Sequence, residues 1–358
     1  MAKKVYTGKT VDVALKERMA WIFDNYANVI VSVSGGKDST VLFNAAQKEA
    51  AARSRTITCM FLDQEVEYSH TITHVRDMMT TGQHVKPMWW QAPIYMTNAT
   101  SFEDEMLYAW GPGEEWLREK EVMSIHEVPG APDRFYPFFE WIERQYGAET
   151  CFLVGLRSEE SMNRYRAVTK NAAVPGIPWS SKTSGKAVRL YPLYDFTFED
   201  IWTYLGKFHV KYNKIYDFMY AKGMSMNIMR VSNLIHEQAF HCLTTLQEFD
   251  FDTYEKLVRR LKGVHTAAKT ADQQSMYQTL KRPKAFGTWK AYRNSLLEAL
   301  PLRHKDVFTQ RFAGQKETES NFRQQCRQLL LNDYENSVPV INQDDEAETS
   351  LGKWMAIL

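Results

Sequence analysis

The 358-residue sequence contains few cysteines, and they do not form a cluster. The four cysteines, Cys59, Cys151, Cys242 and Cys326, lie far apart, and no Cys-x-x-Cys pair occurs. Structural zinc sites and iron–sulfur clusters depend on closely spaced cysteines, so we expect this chain to hold neither group. Sparse cysteine is also typical of proteins in a reducing compartment, which predicts a cytoplasmic location.

The sequence also lacks long apolar runs and an excess of charge of one sign. No apolar run is as long as a membrane-spanning helix, which needs about 18 residues, and the N-terminus lacks the apolar core of a signal peptide. We therefore expect no membrane partner. The 44 Lys and Arg against 43 Asp and Glu give a formal net charge of +1. This balance produces no overall field that would attract nucleic acid.

Two common phosphate-binding motifs, G-x-x-x-x-G-K-[ST] and G-x-G-x-x-G, are absent as well. The sequence has instead Ser34-Gly35-Gly36-Lys37-Asp38-Ser39, between an apolar strand-like run (29–33) and a predicted helix (40–53). Glycines let the backbone approach a ligand, and a helix N-terminus favours an anion. Lys37 adds a full charge, and both serines can donate hydrogen bonds. The stretch predicts a phosphate site; the alternative is a glycine turn without a ligand.

A second predicted strand, residues 56–62, ends immediately before Asp63. Ligands of open α/β sheets bind beyond the carboxyl ends of the strands, which places Asp63 where it would contact ribose, adenine or Mg²⁺. The alternative is that Asp63 caps a helix over residues 66–80. After a third strand (85–90), residues 91–135 are aromatic and rich in Gly and Pro, which indicates an insertion beside the pocket, either a lid or an ordinary packed excursion.

A fourth predicted strand, residues 150–154, leads into Gly155 and Arg157. This spacing places a guanidinium at the ligand edge of the sheet, where it would bind phosphate or sulfate with two parallel hydrogen bonds. Glu159 or Glu160 would orient it, and Arg164 would share its helical face. The alternative is the charged, solvated start of a helix.

The last predicted strand is residues 188–193, and Thr197 with Asp200 predicts the cap of the helix that follows. From about residue 225 the pattern is helical, so we expect a nucleotide-binding domain (1–224, with the insertion 91–135) and a helical subdomain (225–358) with an acidic tail (342–350). The helical part is locally basic, for which a solvated face is the commoner explanation and nucleic acid or an acidic partner is the alternative. We expect its helices to form a homo-oligomer or to bind a protein partner. The basic residues are Lys256, Arg259, Arg260, Lys262, Lys281, Arg282 and Lys284.

Three segments together resemble one family. They are Ser34-Gly-Gly-Lys-Asp-Ser39, Gly155-Leu-Arg-Ser-Glu-Glu-Ser161, and Tyr191-Pro-Leu-Tyr-Asp-Phe-Thr-Phe-Glu-Asp-Ile-Trp202 with Tyr212-Asn-Lys-Ile-Tyr216. In this order they are similar to the phosphoadenosine phosphosulfate (PAPS) reductase family of the PP-loop superfamily, in the phage or mobile-element type with a helical C-terminal extension. The resemblance implies a doubly wound, mostly parallel five-stranded α/β sheet of the adenine nucleotide α-hydrolase-like kind. Residues 34–39 would hold phosphates, and Arg157 and Arg164 would face the phosphosulfate or polyphosphate.

One departure from that family decides between the candidate functions. The Glu-Cys-Gly-x-His segment whose cysteine attacks sulfur in the reductases is absent, and Cys242 beside His241 is the best remaining thiol. We therefore expect an enzyme that binds ATP or a related adenine nucleotide, PAPS included, and transfers an adenylyl group with release of pyrophosphate. Lys37 would stabilise the pyrophosphate, Asp38 would hold Mg²⁺, and Arg157 would neutralise the α-phosphate. The alternatives are a reductase using Cys242 or a partner's thiol, and a nucleotide-sensing regulatory or DNA-associated protein.

Overall fold

The computed structural model describes residues 8–101, 104–169, 172–224, 229–231, 233–236, 240–270, 282–334 and 336. It divides into two compact units. One comprises Met1–Met96 and Tyr108–Asn233, and the other Thr97–Leu107 and Leu234–Leu358. The segment 97–107 therefore belongs with the C-terminal residues, although the sequence favoured its placement in the first domain. The domain boundary after residue 224 stays a prediction.

The first unit is built on a seven-stranded sheet with the order β6-β3-β2-β1-β7-β9-β8, in which only the β8–β9 pair is antiparallel. The strands are β1 (Asn28–Ser32), β2 (Ile57–Leu62), β3 (Val85–Trp90), β6 (Ser124–Ile125), β7 (Thr150–Val154), β8 (Ser180–Lys182) and β9 (Val188–Leu190). The mostly parallel α/β fold is confirmed. The predicted number of five strands is too low, because a sixth parallel strand, β6, and the antiparallel β8 extend the two edges of the sheet.

The position of β1 in the middle of the sheet explains why its sequence is an apolar run. It pairs in parallel with β2 and β7, so that Val31 lies opposite Cys59 on one side and Leu153 on the other. A strand with neighbours on both sides and helices on both faces has no solvated side, which is why its residues do not alternate with polar ones. Pro87 is accommodated in β3 because β6 pairs only with Trp89 and Trp90, further along that strand.

In the described part of this unit, seven α-helices pack around the sheet. They are α1 (Val11–Asn25), α2 (Lys37–Ala52), α3 (Ser69–Thr80), α4 (Phe135–Arg144), α5 (Met162–Thr169), α6 (Phe198–Lys207) and α7 (Ile215–Ala221). The cap predicted for α6 is confirmed: Thr197 Oγ1 accepts from the Asp200 amide at 3.2 Å, and Asp200 Oδ2 accepts from the Thr197 amide at 2.8 Å. Within the predicted insertion, β4 (Ile94–Thr97) and β5 (Met106–Ala109) form a separate two-stranded sheet.

The second unit is helical, as the sequence predicted. Its helices are α8 (Phe240–Phe249), α9 (Phe251–Arg260), α10 (Val264–Thr270), α11 (Trp289–Ala299), α12 (Leu302–Phe312) and α13 (Glu319–Leu330). Asn332 Nδ2 donates to the carbonyl of Asn98 at 2.8 Å and to that of Ser101, which ties segment 97–107 to the end of α13. None of the helices in the described ranges is long and apolar enough to cross a membrane.

The basic stretch of this unit is partly neutralised where the structure describes it. Lys256 pairs with Asp252 at 2.7 Å, and Arg259 pairs with Glu255 at 2.5 Å, each one turn apart on α9. Such pairs are typical of a solvated helix face. Lys281 and the acidic tail 342–350 lie outside the described residues. A partner for this unit stays a prediction.

Candidate functional site

The loop between β1 and α2 has the conformation that its two glycines allow. Gly35 has a φ of +70°, and a Cβ on it would lie 2.6 Å from Thr71 Cγ2. Both the left-handed backbone and the close approach of α3 therefore require glycine at this position. Gly36 is the N-cap residue and α2 begins at Lys37, earlier than the predicted residue 40. The backbone amide of Lys37 is thus the first of the helix amides that have no partner within the helix.

Hydroxyl groups hold this loop in shape. Ser39 Oγ accepts from the Ser34 amide at 3.2 Å and donates to the Gly36 carbonyl at 3.0 Å. Thr40 Oγ1 donates to the same carbonyl at 2.9 Å and lies 2.8 Å from His74 Nε2. Because the proton of Thr40 is used on Gly36, His74 donates from Nε2. Burial lowers the pKa of His74 to about 4, so the imidazole is neutral at pH 7.

The charged side chains predicted for the site lie together. Lys37 Nζ is 3.1 Å from Asp38 Oδ2, and Arg157 Nε donates to Asp38 Oδ1. Lys37 and Arg157 are 7% and 5% exposed, respectively. Buried charges are tolerated when they are paired, and here the Asp38 carboxylate contacts both cations. The structure thus joins residues of the loop to Arg157, 119 positions away in the sequence.

Gly155 makes this meeting possible. A Cβ on Gly155 would lie 3.1 Å from the Ser39 nitrogen and 3.2 Å from the Asp38 carbonyl carbon. The end of β7 therefore passes directly against the first turn of α2, with no room for a side chain between them. The glycine brings Arg157, two residues later, within reach of Asp38.

Replacing Gly155 by alanine is expected to weaken the site. The new Cβ would press on backbone atoms, which cannot rotate away, and overpacking of this kind costs on the order of 1–3 kcal/mol of unfolding free energy. Chemical denaturation should show this loss, together with weaker binding of pyrophosphate by calorimetry. Gly206→Ala is the matched control, because a Cβ there meets nothing within 4 Å. A Gly155→Ala protein as stable as the control would contradict the close approach.

The sequence predicted that Arg157 and Arg164 would share one helix, and this prediction is wrong. A 3-10 turn (Ser158–Glu160) follows Arg157, Ser161 is extended, and α5 begins only at Met162. The two arginines are connected instead through Glu160, whose Oε2 lies 2.6 Å from Arg164 Nη1 and whose Oε1 lies 3.6 Å from Arg157 Nε. Burial raises the pKa of Glu160. An orienting role for this glutamate, which the sequence indicated, agrees with the geometry.

The surroundings of Asp63 differ from both sequence interpretations. Its carboxylate is fully buried and accepts from Trp89 Nε1 at 2.9 Å, Gln91 Nε2 at 2.9 Å and the Glu65 amide at 3.0 Å. Arg118 Nη2 adds an ion pair at 2.5 Å. Four donors occupy this carboxylate, which leaves no exposed oxygen for ribose, adenine or a metal. It is also not the cap of α3, whose N-cap residue is Tyr68.

The structure adds residues that the sequence did not assign to the loop. Asn213 Nδ2 donates to the Gly35 carbonyl at 3.1 Å and to Thr71 Oγ1 at 2.9 Å. The Lys37 amide donates to the Tyr216 hydroxyl at 3.2 Å. Both side chains belong to Tyr212-Asn-Lys-Ile-Tyr216, a segment that carried part of the family resemblance without a role. That segment was the available signal, but only the fold shows that it lies against the loop.

None of the four cysteines presents an exposed thiol. Cys59, Cys151, Cys242 and Cys326 are each 0–1% exposed. Burial raises the pKa of Cys59 and of Cys151 and raises that of Cys326 to about 12, so these thiols stay protonated at pH 7. Cys242, the candidate nucleophile, lies buried on α8.

The carboxylate proposed for Mg²⁺ is already engaged. Both oxygens of Asp38 are paired, one with Lys37 and the other with Arg157. Within the described ranges, no group of three or more His, Cys, Asp or Glu side chains could hold a metal ion. The arrangement therefore does not fit a metal centre formed by protein side chains.

Comparison with known proteins agrees with the motifs. The phosphoadenosine phosphosulfate reductase domain matches residues 28–222, and a domain of unknown function (DUF3440) matches residues 223–325. Uncharacterized protein YbdN of Escherichia coli is 25% identical, over 90% of this chain and 88% of that protein. Adenosine 5'-phosphosulfate reductase of Lysinibacillus sphaericus is 23% identical, over 56% of this chain and 73% of that protein.

Among solved structures, a phosphoadenylyl-sulfate reductase of Candida auris matches with a TM-score of 0.34 and 12% identity, over 65% of this chain and 98% of that one. The family match extends from β1 to the residue after α7, which is more than half of the chain and includes all three motif segments. With the strand order and the loop geometry described above, it confirms the resemblance: the chain belongs to the phosphoadenosine phosphosulfate reductase domain family.

Proposed function

We propose that the chain binds the phosphate chain of ATP or a related adenine nucleotide at residues 34–39 and transfers the adenylyl group to an acceptor. The observation that carries this proposal is the cluster of Lys37, Asp38 and Arg157, in which the glycine loop meets an arginine from the segment that follows β7. Ligands of doubly wound sheets bind at this carboxyl edge of the strands.

In this reaction a hydroxyl oxygen of the acceptor attacks the α-phosphorus and its proton passes to solvent. The bond from that phosphorus to the oxygen that bridges to the β-phosphorus breaks. The electron pair of the broken bond leaves with pyrophosphate. The Lys37 ammonium and the first amides of α2 stabilise the charge that develops there, and the Arg157 guanidinium neutralises the α-phosphate. Asp38 holds the two cations in place before the ligand enters, because it contacts both of them.

Product analysis with ATP tests the proposal. Full-length protein is incubated with ATP labelled at the α-phosphate or at the γ-phosphate. With water as the acceptor, we expect labelled AMP from the first and an equal amount of labelled pyrophosphate from the second. Lys37→Met should remove this activity. Lys48→Met is the control, since Lys48 lies on the same helix at an exposed position away from the loop. Formation of ADP and phosphate would contradict cleavage between the α- and β-phosphates.

The same protein is expected to release no sulfite from PAPS when supplied with thioredoxin and a reducing system. Attack on sulfur needs a thiolate that can reach it, and all four thiols are buried. Sulfite is measured for the wild type and for Cys242→Ser. Sulfite production by the wild type that is lost in Cys242→Ser would contradict this expectation and would favour the reductase alternative.

A further inference from the structure

The hydroxyl of Tyr216 accepts a hydrogen bond from the first backbone amide of α2. The Lys37 amide donates to it at 3.2 Å, and a Cβ on Gly36 would lie 3.5 Å from the same oxygen. The first amides of a helix have no partner within the helix, and after a glycine loop they are the groups that bind an anion. The tyrosine hydroxyl therefore accepts the hydrogen bond that this amide would otherwise donate to a phosphate oxygen.

The ring of Tyr216 contacts the side-chain ammonium of the same lysine, Lys37. Lys37 Nζ lies 5.7 Å from the centre of this ring and 5.3 Å from that of Phe198. A cation over an aromatic face is attracted by the negative face of the ring. Tyr216 is itself buried, with 3% of its surface exposed. One side chain thus contacts both the amide and the ammonium of Lys37.

The geometry points to Tyr216 as a residue that occupies the phosphate position of the loop in the ligand-free protein and is displaced by the phosphate chain. This inference rests on the proposed nucleotide site at residues 34–39. A phosphate oxygen displaces the hydroxyl because a charge-assisted hydrogen bond is about twice as strong as a neutral one. The loop keeps its shape during the exchange, since Asn213 holds the Gly35 carbonyl through a separate contact.

A consequence is that the ligand must compete with part of the protein itself. Its measured affinity is then lower than that of the same loop with the tyrosine hydroxyl removed. Tyr216→Phe removes only the hydroxyl oxygen and keeps the ring over Lys37. Tyr212→Phe is the matched control, because that hydroxyl lies in the same segment but donates to Asp217 Oδ1 at 2.6 Å, not to the loop.

The experiment measures the binding of inorganic pyrophosphate to the full-length protein by calorimetry. We expect Tyr216→Phe to bind about fivefold more tightly than the wild type, which is the value of one neutral hydrogen bond expressed as an equilibrium constant. Tyr212→Phe should bind like the wild type. Without ligand, Tyr216→Phe should unfold at a lower temperature than the wild type, because the contact with the Lys37 amide is lost.

Unchanged or weaker binding by Tyr216→Phe would overturn the inference, because the hydroxyl would then be irrelevant to the ligand or in contact with it. The proposed reaction is judged separately by ATP cleavage. Tighter pyrophosphate binding without cleavage of ATP by any variant would retain the inference and contradict the reaction. Cleavage of ATP with unchanged pyrophosphate affinity would retain the reaction and contradict the inference. Absence of both pyrophosphate binding and ATP cleavage in every variant would overturn both.

Discussion

Lys37→Met is expected to weaken the binding of ATP and of pyrophosphate by about 10- to 150-fold, because a charged hydrogen bond to phosphate is worth on the order of 1.5–3 kcal/mol. The fold should survive, since Asp38 keeps its ion pair with Arg157 and the unbranched methionine side chain can pack against Phe198 and Tyr216. Isothermal titration gives the affinities, and thermal unfolding reports the fold.

The control for this variant is Lys48→Met, which removes a cation from the same helix. Lys48 is exposed and lies 4.4 Å from the ring of Phe208, so its loss should leave both affinities unchanged. Wild-type affinity in the Lys37→Met protein, for both ligands, would contradict the assignment of residues 34–39 as the phosphate-binding loop.

Arg157→Lys is expected to weaken nucleotide binding by about 10- to 100-fold although the charge is retained. Arg157 is buried between three carboxylates: its Nε pairs with Asp38, and Glu159 and Glu160 each lie 3.6 Å from one of its nitrogens. A planar fork can satisfy Asp38 and still present a donor to phosphate, whereas a lysine offers a single point charge. Titration of the full-length protein with ATP measures the effect.

Arg166→Lys supplies the comparison for this arginine. Arg166 lies on α5 at an exposed position, where an arginine-to-lysine change keeps the charge in solvent and should leave affinity unaltered. An Arg157→Lys protein with the same affinity for ATP as the wild type and the Arg166→Lys protein would place Arg157 outside the binding site.

Much of the framework follows from local sequence. The strands β1, β2 and β7 in the middle of the sheet are short apolar runs, and the sequence predicted β3 and β7 with the bounds that the structure shows. The loop was also evident, since glycines, a lysine and hydroxyl residues between a strand and a helix have few structural uses other than binding an anion. The start of α2 was predicted too late because Lys37, Asp38 and Ser39 are polar and resembled loop residues.

Asp63 shows where local reasoning fails. Its position after β2 indicated the ligand edge correctly, but its partners Trp89, Gln91 and Arg118 lie 26 to 55 positions further along the chain. Nothing near Asp63 in the sequence reveals that four donors will surround it. A carboxylate at a strand end reaches a ligand or the core depending on which side chains the neighbouring strand and the insertion bring to it.

The sequence by itself determined the fold class and revealed the glycine loop and the arginine after the β7 strand, because each depends on residues close together in the chain. Phosphate binding by that loop stays a prediction. The tertiary structure alone decided which charges pair: Asp38 between Lys37 and Arg157, and Glu160 between two arginines. It also decided that Tyr216 covers the first amide of α2. These contacts are set by the strand order, which places β7 beside β1 and brings α7 against the loop, and contacts between residues far apart in a chain leave no local pattern to predict them.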